Sequence, residues 1–234
     1  MRRSDDQSPA VRSLFVLLHL LVSGTPLRDT LTRKIGQGPY MGLFSLTSVA
    51  GLTWLGMAYG EARHQVWNQA YWDITPTTRH IQLAFMAVAL LLIVPGLTTP
   101  NPTSVRQEGA LARPDLIKGM LRITRHPFLW GVAIWAGGHL LVNGDRASIV
   151  LFGSQMALAI FGTLSIDAKR KRALGETWDN FAAQTSNIPF AAILSGRQPL
   201  KISEIGWWRI ALAVVVYAAL LTGHAAAFGV RALP

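Results

Sequence analysis

The stretch HIQLAFMAVALLLIVPGL, residues 80–97, decides the fold class: after its first histidine it holds no titratable side chain at all. A helix that is apolar on every side needs either a large protein core or lipid around it. A bilayer span takes about 20 such residues, within about 17 to 25. Residues 40–60, 148–166 and 207–230 meet that requirement, and two shorter apolar runs, 10–22 and 127–142, bring the expected number of spans to six. The breakers fall between them. Ser23-Gly24-Thr25-Pro26 stops the first run, Pro95-Gly96 and Pro100-Asn101-Pro102 end the third, and Asn143-Gly144-Asp145 turns into the fifth. Pro127 stands at a helix start, where its missing N–H costs little. With no internal repeat or linker, residues 1–234 read as one all-α polytopic transmembrane helix bundle.

Half of the 234 residues are hydrophobic and only 15% are charged, yet 22 Lys and Arg face 12 Asp and Glu, a net charge of +10. That excess implies nucleic acid or a membrane, and its distribution decides between them. Taken alternately, the loops of one side carry 15 basic residues and those of the other carry 7. By the positive-inside rule the richer side is cytoplasmic, which places both termini outside. A bacterial inner membrane crossed several times is the expected location, and no nucleic-acid partner is expected. Asp167-Ala168-Lys169-Arg170-Lys171-Arg172 follows a span directly and reads as a solvated collar facing anionic lipid. Trp67, Trp72, Trp178, Trp207 and Trp208 fall at expected interfaces, while Trp130 and Trp135 lie within a span. The start, Met1-Arg2-Arg3-Ser4-Asp5-Asp6, lacks the form of a signal peptide, so the first apolar run is expected to be retained.

There is no cysteine, which excludes disulfides, thiolate zinc sites, iron–sulfur clusters and thiol nucleophiles. Histidine is then the strongest ligand available. His64 is in a loop and His80 opens a span, whereas His19, His126, His139 and His224 fall at membrane depth or its edge, where an ionisable side chain is a candidate site. Such a histidine serves either as an interhelical hydrogen-bonder or as a ligand of a membrane haem. His126 and His139 are thirteen residues apart on one helix, about 20 Å along its axis, so they cannot hold one iron together. His139 pairs by depth with His224 or with His19. Trp135, four residues before His139, shares its helix face, and Gly131, Gly137 and Gly138 allow a close approach by a helix or a flat macrocycle. No G-x-S-x-G, Walker or Rossmann loop is present.

ITRHPFLWGVAIWAGGHLLVNGD (residues 123–145), HLLVSGTPLR (19–28) and SNIPFAAILSGR (186–197) closely resemble the NnrU family of bacterial inner-membrane proteins, which is associated with denitrification and nitric oxide metabolism. That family in turn is similar to zeta-carotene isomerase, a membrane enzyme that uses haem b to convert a cis double bond of a carotenoid precursor to trans. The resemblance implies haem b held by His19 and His139, with His224 as a substitute, and an apolar polyene as substrate. Arg125 and His126 would meet haem propionates or, more simply, anchor the helix end to anionic lipid.

A second resemblance competes. Arg125-His126-Pro127, with Leu174-Gly175-Glu176-Thr177-Trp178 and Ile188-Pro189, is similar to the C-terminal half of isoprenylcysteine and phospholipid methyltransferases. It implies S-adenosylmethionine bound through Arg125, His126 and Asp167. The family's tyrosine is replaced near Leu129-Trp130, and its Glu-Glu pair reads Ile166-Asp167. A third reading is a non-catalytic accessory protein bound to other membrane proteins.

Overall fold

The computed structural model describes residues 26–233; the first expected span and His19 lie outside them. The described chain is all helical, without a named strand. Two helices, α1 (Pro26–Ile35) and α2 (Gln37–Ala62), lead into α3 (Pro76–Thr98). The short α4 (Met120–Ile123) precedes α5 (Pro127–Leu141) and the long α6 (Arg146–Leu174). Then come α7 (Glu176–Gln184), α8 (Ala191–Leu194) and α9 (Trp207–Phe228). Four of these, α2, α3, α6 and α9, are long and apolar enough to cross a membrane. The expected fourth span, α5, has 15 residues, or about 22 Å, and falls short of a hydrocarbon core of about 30 Å.

Helices α3 and α6 begin at side-chain caps. Thr75 accepts from Thr78 N–H while the Thr78 hydroxyl returns a bond to Thr75, and Pro76 fills the first position of α3. Asp145 accepts from the Ser148 N–H at the start of α6. The Asn143-Gly144-Asp145 turn is closed by the Tyr71 N–H bonding Gly144 O at 2.9 Å. Trp72 covers it so closely that a Cβ on Gly144 would stand 2.8 Å from its ring.

Small residues set the packing. Gly96 meets Pro127 and Phe128 at one end, and Gly138 meets Phe85 and Met86 at the other, so α3 and α5 run antiparallel. Gly137 lies against Met156 and Gly162 against Leu129, which makes α6 antiparallel to α5. Helix α9 lies on the other side of α3, with Arg209 donating to Thr98 O and Tyr217 to Leu83 O. Tyr59 bonds Ser148, joining the end of α2 to the start of α6. The buried positions include Ala89, Ala133, Ala136, Ala159 and Ala213, while Leu43, Leu46, Val49, Val215 and Phe161 face outward. This arrangement suits lipid, where helices gain by close backbone approach rather than by hiding apolar side chains.

The alternation of direction gathers two kinds of connection. Residues 63–75 and 142–145 lie at one end; residues 99–126 and 175–206 form a cap at the other. The cap is tied to the bundle through Arg170, which the sequence reading placed in a solvated collar. Its side chain is only 7% exposed and pairs with Glu108 while donating to Ser104 O. Trp178, expected at an interface, is buried with Leu121 and Phe181 in the cap's own core. The 104–108 segment covers Arg170, and the chain after α6 folds back to bury Trp178; pattern alone reveals neither.

Candidate functional site

At the cap end, the antiparallel pairing of α5 and α6 brings Arg125 and His126 onto Asp167. Arg125 Nε lies 2.9 Å from Asp167 Oδ1 and 3.1 Å from Oδ2, with Nη2 2.5 Å from Oδ2. His126 Nε2 is 2.7 Å from Oδ1, and Asn187 Nδ2 donates to Oδ2 at 3.1 Å. A carboxylate offers about four lone-pair sites, so these donors saturate it. The backbone enforces the arrangement. Arg125 N–H donates to Ser186 O, the Arg125 carbonyl accepts from Asn101 and Thr103, and Thr124 donates to Asn187 O at 2.5 Å. The His126 side chain is fully buried, and with Nε2 on the carboxylate, Nδ1 has no hydrogen-bond partner among the described residues.

This corrects the expectation that Arg125 and His126 anchor a helix end to lipid. Both turn inward, because an isolated carboxylate on α6 needs cations where lipid offers none. Sequence reasoning named Arg125, His126 and Asp167 but not Asn187, which lies in the quoted stretch SNIPF and completes the set. The only signal for it was an amide beside Ile188-Pro189 in a segment too polar for a span.

The second place is at the opposite end of α5. His139 Nδ1 is 2.9 Å from Trp135 O, which assigns that nitrogen the proton and leaves Nε2 as the lone-pair nitrogen. The ring stacks on Phe152 at 4.8 Å and lies 4.8 Å from Trp135; Phe152 also meets Trp135 and Tyr59 edge-on. Tyr59 closes the group through a chain of hydroxyls, bonding Ser148 Oγ at 2.9 Å, which bonds Asp145 Oδ2 at 2.6 Å. The outcome is an imidazole framed by aromatic rings from α5 and α6, with Tyr59 of α2 packed on Phe152. His224, on α9, is half-buried, with Nδ1 2.8 Å from Val230 O and its ring beside Phe228. Both α5 and α9 pack on α3 and run in the same direction, so His139 and His224 share one end of the bundle. His126 and His139 are held apart by the length of α5, as the spacing requires.

The family described as NnrU protein matches residues 10–232. The chain belongs to the NnrU family. The chain is 25% identical over 201 residues to the 15-cis-zeta-carotene isomerase of Zea mays, covering 84% of this chain and 54% of the maize protein. It is 37% identical over 104 residues to the chloroplastic isomerase of Arabidopsis thaliana, covering 43% of this chain and 28% of that one. The chain thus spans about half or less of the curated relatives it matches. No solved structure matches.

Proposed function

We propose that this NnrU protein is a haem-dependent membrane isomerase that acts on an apolar polyene in a bacterial inner membrane, in a setting of nitric oxide metabolism. The observation that carries the proposal is the state of His139. Its Nδ1 is committed to the Trp135 carbonyl, its Nε2 is free to ligate, and its ring is fixed by Phe152 and Trp135. A carbonyl on the far nitrogen is the usual way to orient a metal-binding imidazole and to raise its basicity. Among the described residues no three His, Cys, Asp or Glu side chains are grouped to hold a metal ion; a haem, held by one or two axial imidazoles, needs no such group.

His139 and His19 would hold the haem, with His224 the substitute, and the bound haem would supply an iron able to act on a conjugated double bond. The chain's own part is to hold the His139 tautomer, to provide aromatic faces against which a flat conjugated molecule packs, and to keep water out with the apolar surfaces of α2 and α6. The similarity to 15-cis-zeta-carotene isomerases supports an apolar, conjugated substrate. The full chain purified in detergent should show a Soret band that His139→Ala weakens or abolishes. A preparation that stays colourless after haem addition would overturn the proposal.

One observation favours a second reading, a methyltransferase-like site for S-adenosylmethionine: Arg125, His126 and Asp167 do converge at the cap end. Against it, Asp167 is saturated by internal donors, which leaves His126 Nδ1 as the unused polar atom of the trio. Saturable S-adenosylmethionine binding lost in His126→Ala would establish it. A chain that binds neither haem nor S-adenosylmethionine would be an accessory protein of a membrane complex.

A further inference from the structure

The cap holds a cavity of about 540 Å³ between the 111–118 segment, α7 and Gln198. That volume lies in the range of small-molecule sites, about 300 to 1,000 Å³. Its lining divides by chemistry. Arg113, Lys118 and Arg122 bring three cations, Thr177 and Gln198 bring neutral donors, and Leu116 and Ile117 bring an apolar wall packed on the buried core of Leu121, Trp178 and Phe181. The one acidic lining residue, Asp115, is paired with Lys118.

Two of these groups are held in place rather than loosely solvated. Arg122 donates from Nε to Glu204 Oε2 at 2.7 Å and from Nη2 to Glu204 Oε1 at 3.1 Å, while Nη1 donates to Gln198 Oε1 at 2.5 Å. With its oxygen so engaged, the Gln198 amide is oriented and its nitrogen remains a donor. Glu204 also accepts from the Gly119 N–H, which ties the 111–118 segment's end to the start of α9. Three residues later, Trp207 and Trp208 are exposed at the mouth of that helix, the place where tryptophan marks a membrane interface. The cavity therefore lies in the cap, at the basic end of the molecule.

We infer that this cavity binds a phosphate group carried on a larger organic moiety, with Arg113 and Lys118 as the recruiting cations and the fixed Arg122–Gln198 pair as the orienting donors. A bare anion would fill little of the space, whereas a phosphate ester places its charge among the cations and its organic part on Leu116 and Ile117. The source is either the headgroup of an anionic phospholipid or a soluble phosphate ester. This site is independent of the haem reading and shares no residue with it.

The test uses the full chain in detergent, titrated with glycerol 3-phosphate and inorganic phosphate by calorimetry, and the same chain exposed to phosphatidylcholine vesicles with and without phosphatidylglycerol. Arg113→Gln/Lys118→Gln leaves the Arg122–Glu204 pair intact and should weaken binding about fivefold for each side chain, about 25-fold together. Lys169→Gln/Arg172→Gln removes the same charge from the same end outside the cavity and should change binding far less. Saturation by glycerol 3-phosphate identifies a soluble ester, and preference for phosphatidylglycerol alone identifies the headgroup; either supports the site. No binding of any probe, or equal losses in the two double variants, would overturn it.

Discussion

Asp167→Asn is the most informative single change, because the structure sets its cost. Asp167 receives Arg125, His126 and Asn187 on its two oxygens, and its side chain is 18% exposed against 12% for Arg125 and none for His126. Asparagine removes the charge and turns an NH2 group toward three donors, so Arg125 is left unpaired and at least two hydrogen bonds are lost. Breaking a buried ion pair by neutralising one partner costs about 3–5 kcal/mol, and the partial exposure here puts the value near the lower end, about 3 kcal/mol. For a chain of this size that corresponds to a fall in Tm of about 6–12 °C. The measurement is thermal unfolding of the purified chain in detergent followed by tryptophan fluorescence. Asp73→Asn, in an exposed loop, is the control and should move Tm little. If Asp167→Asn melts with the parent chain, the network does not bear stability and the site argument for the cap end fails.

Other consequences concern packing, pH and the cap. A Cβ on Gly131 would lie 2.5 Å from Ile93 Cγ1 and 2.8 Å from Ala89 O, so Gly131→Ala must push α5 off the α3 backbone and should destabilise by about 1–3 kcal/mol. Nothing stands within 4 Å of the same position at Gly153, and Gly153→Ala should instead stabilise by about 0.5–1 kcal/mol in the same melt. The hydrogen bonds from Arg122 hold the Glu204 carboxyl down from its ordinary 4.5 to about 2. A lowered folded-state value means that the contribution of Glu204 is complete above pH 4.5 and is lost as pH falls toward about 2. The stability gap between the parent and Glu204→Gln should therefore be flat from pH 5 to pH 8 and close below pH 4.5. Arg170→Ala removes the side chain that holds Glu108 and the Ser104 carbonyl. Limited proteolysis should then cut the 104–113 segment faster, while unchanged cleavage would show that the cap is held without it.

The sequence by itself determined that the chain is a set of helices, several of them apolar and long enough to cross a membrane, and which end is basic. Those properties are local. A helix in lipid satisfies its backbone within its own segment, and a run of apolar residues long enough to span is visible without any partner. The spacing of His126 and His139 was likewise legible, because a single helix fixes it. The tertiary structure alone decided which polar groups meet. Asp167 and Arg125 are 42 residues apart and Arg122 and Glu204 are 82 apart; they join only because antiparallel helices and a folded-back cap return distant segments to one level. The tautomer of His139 depends on one carbonyl in its own helix, but its aromatic frame requires Phe152 from α6, itself packed on Tyr59 from α2. No periodicity encodes such contacts, since they follow from which small residues let two backbones approach and from where the buried charges then find partners.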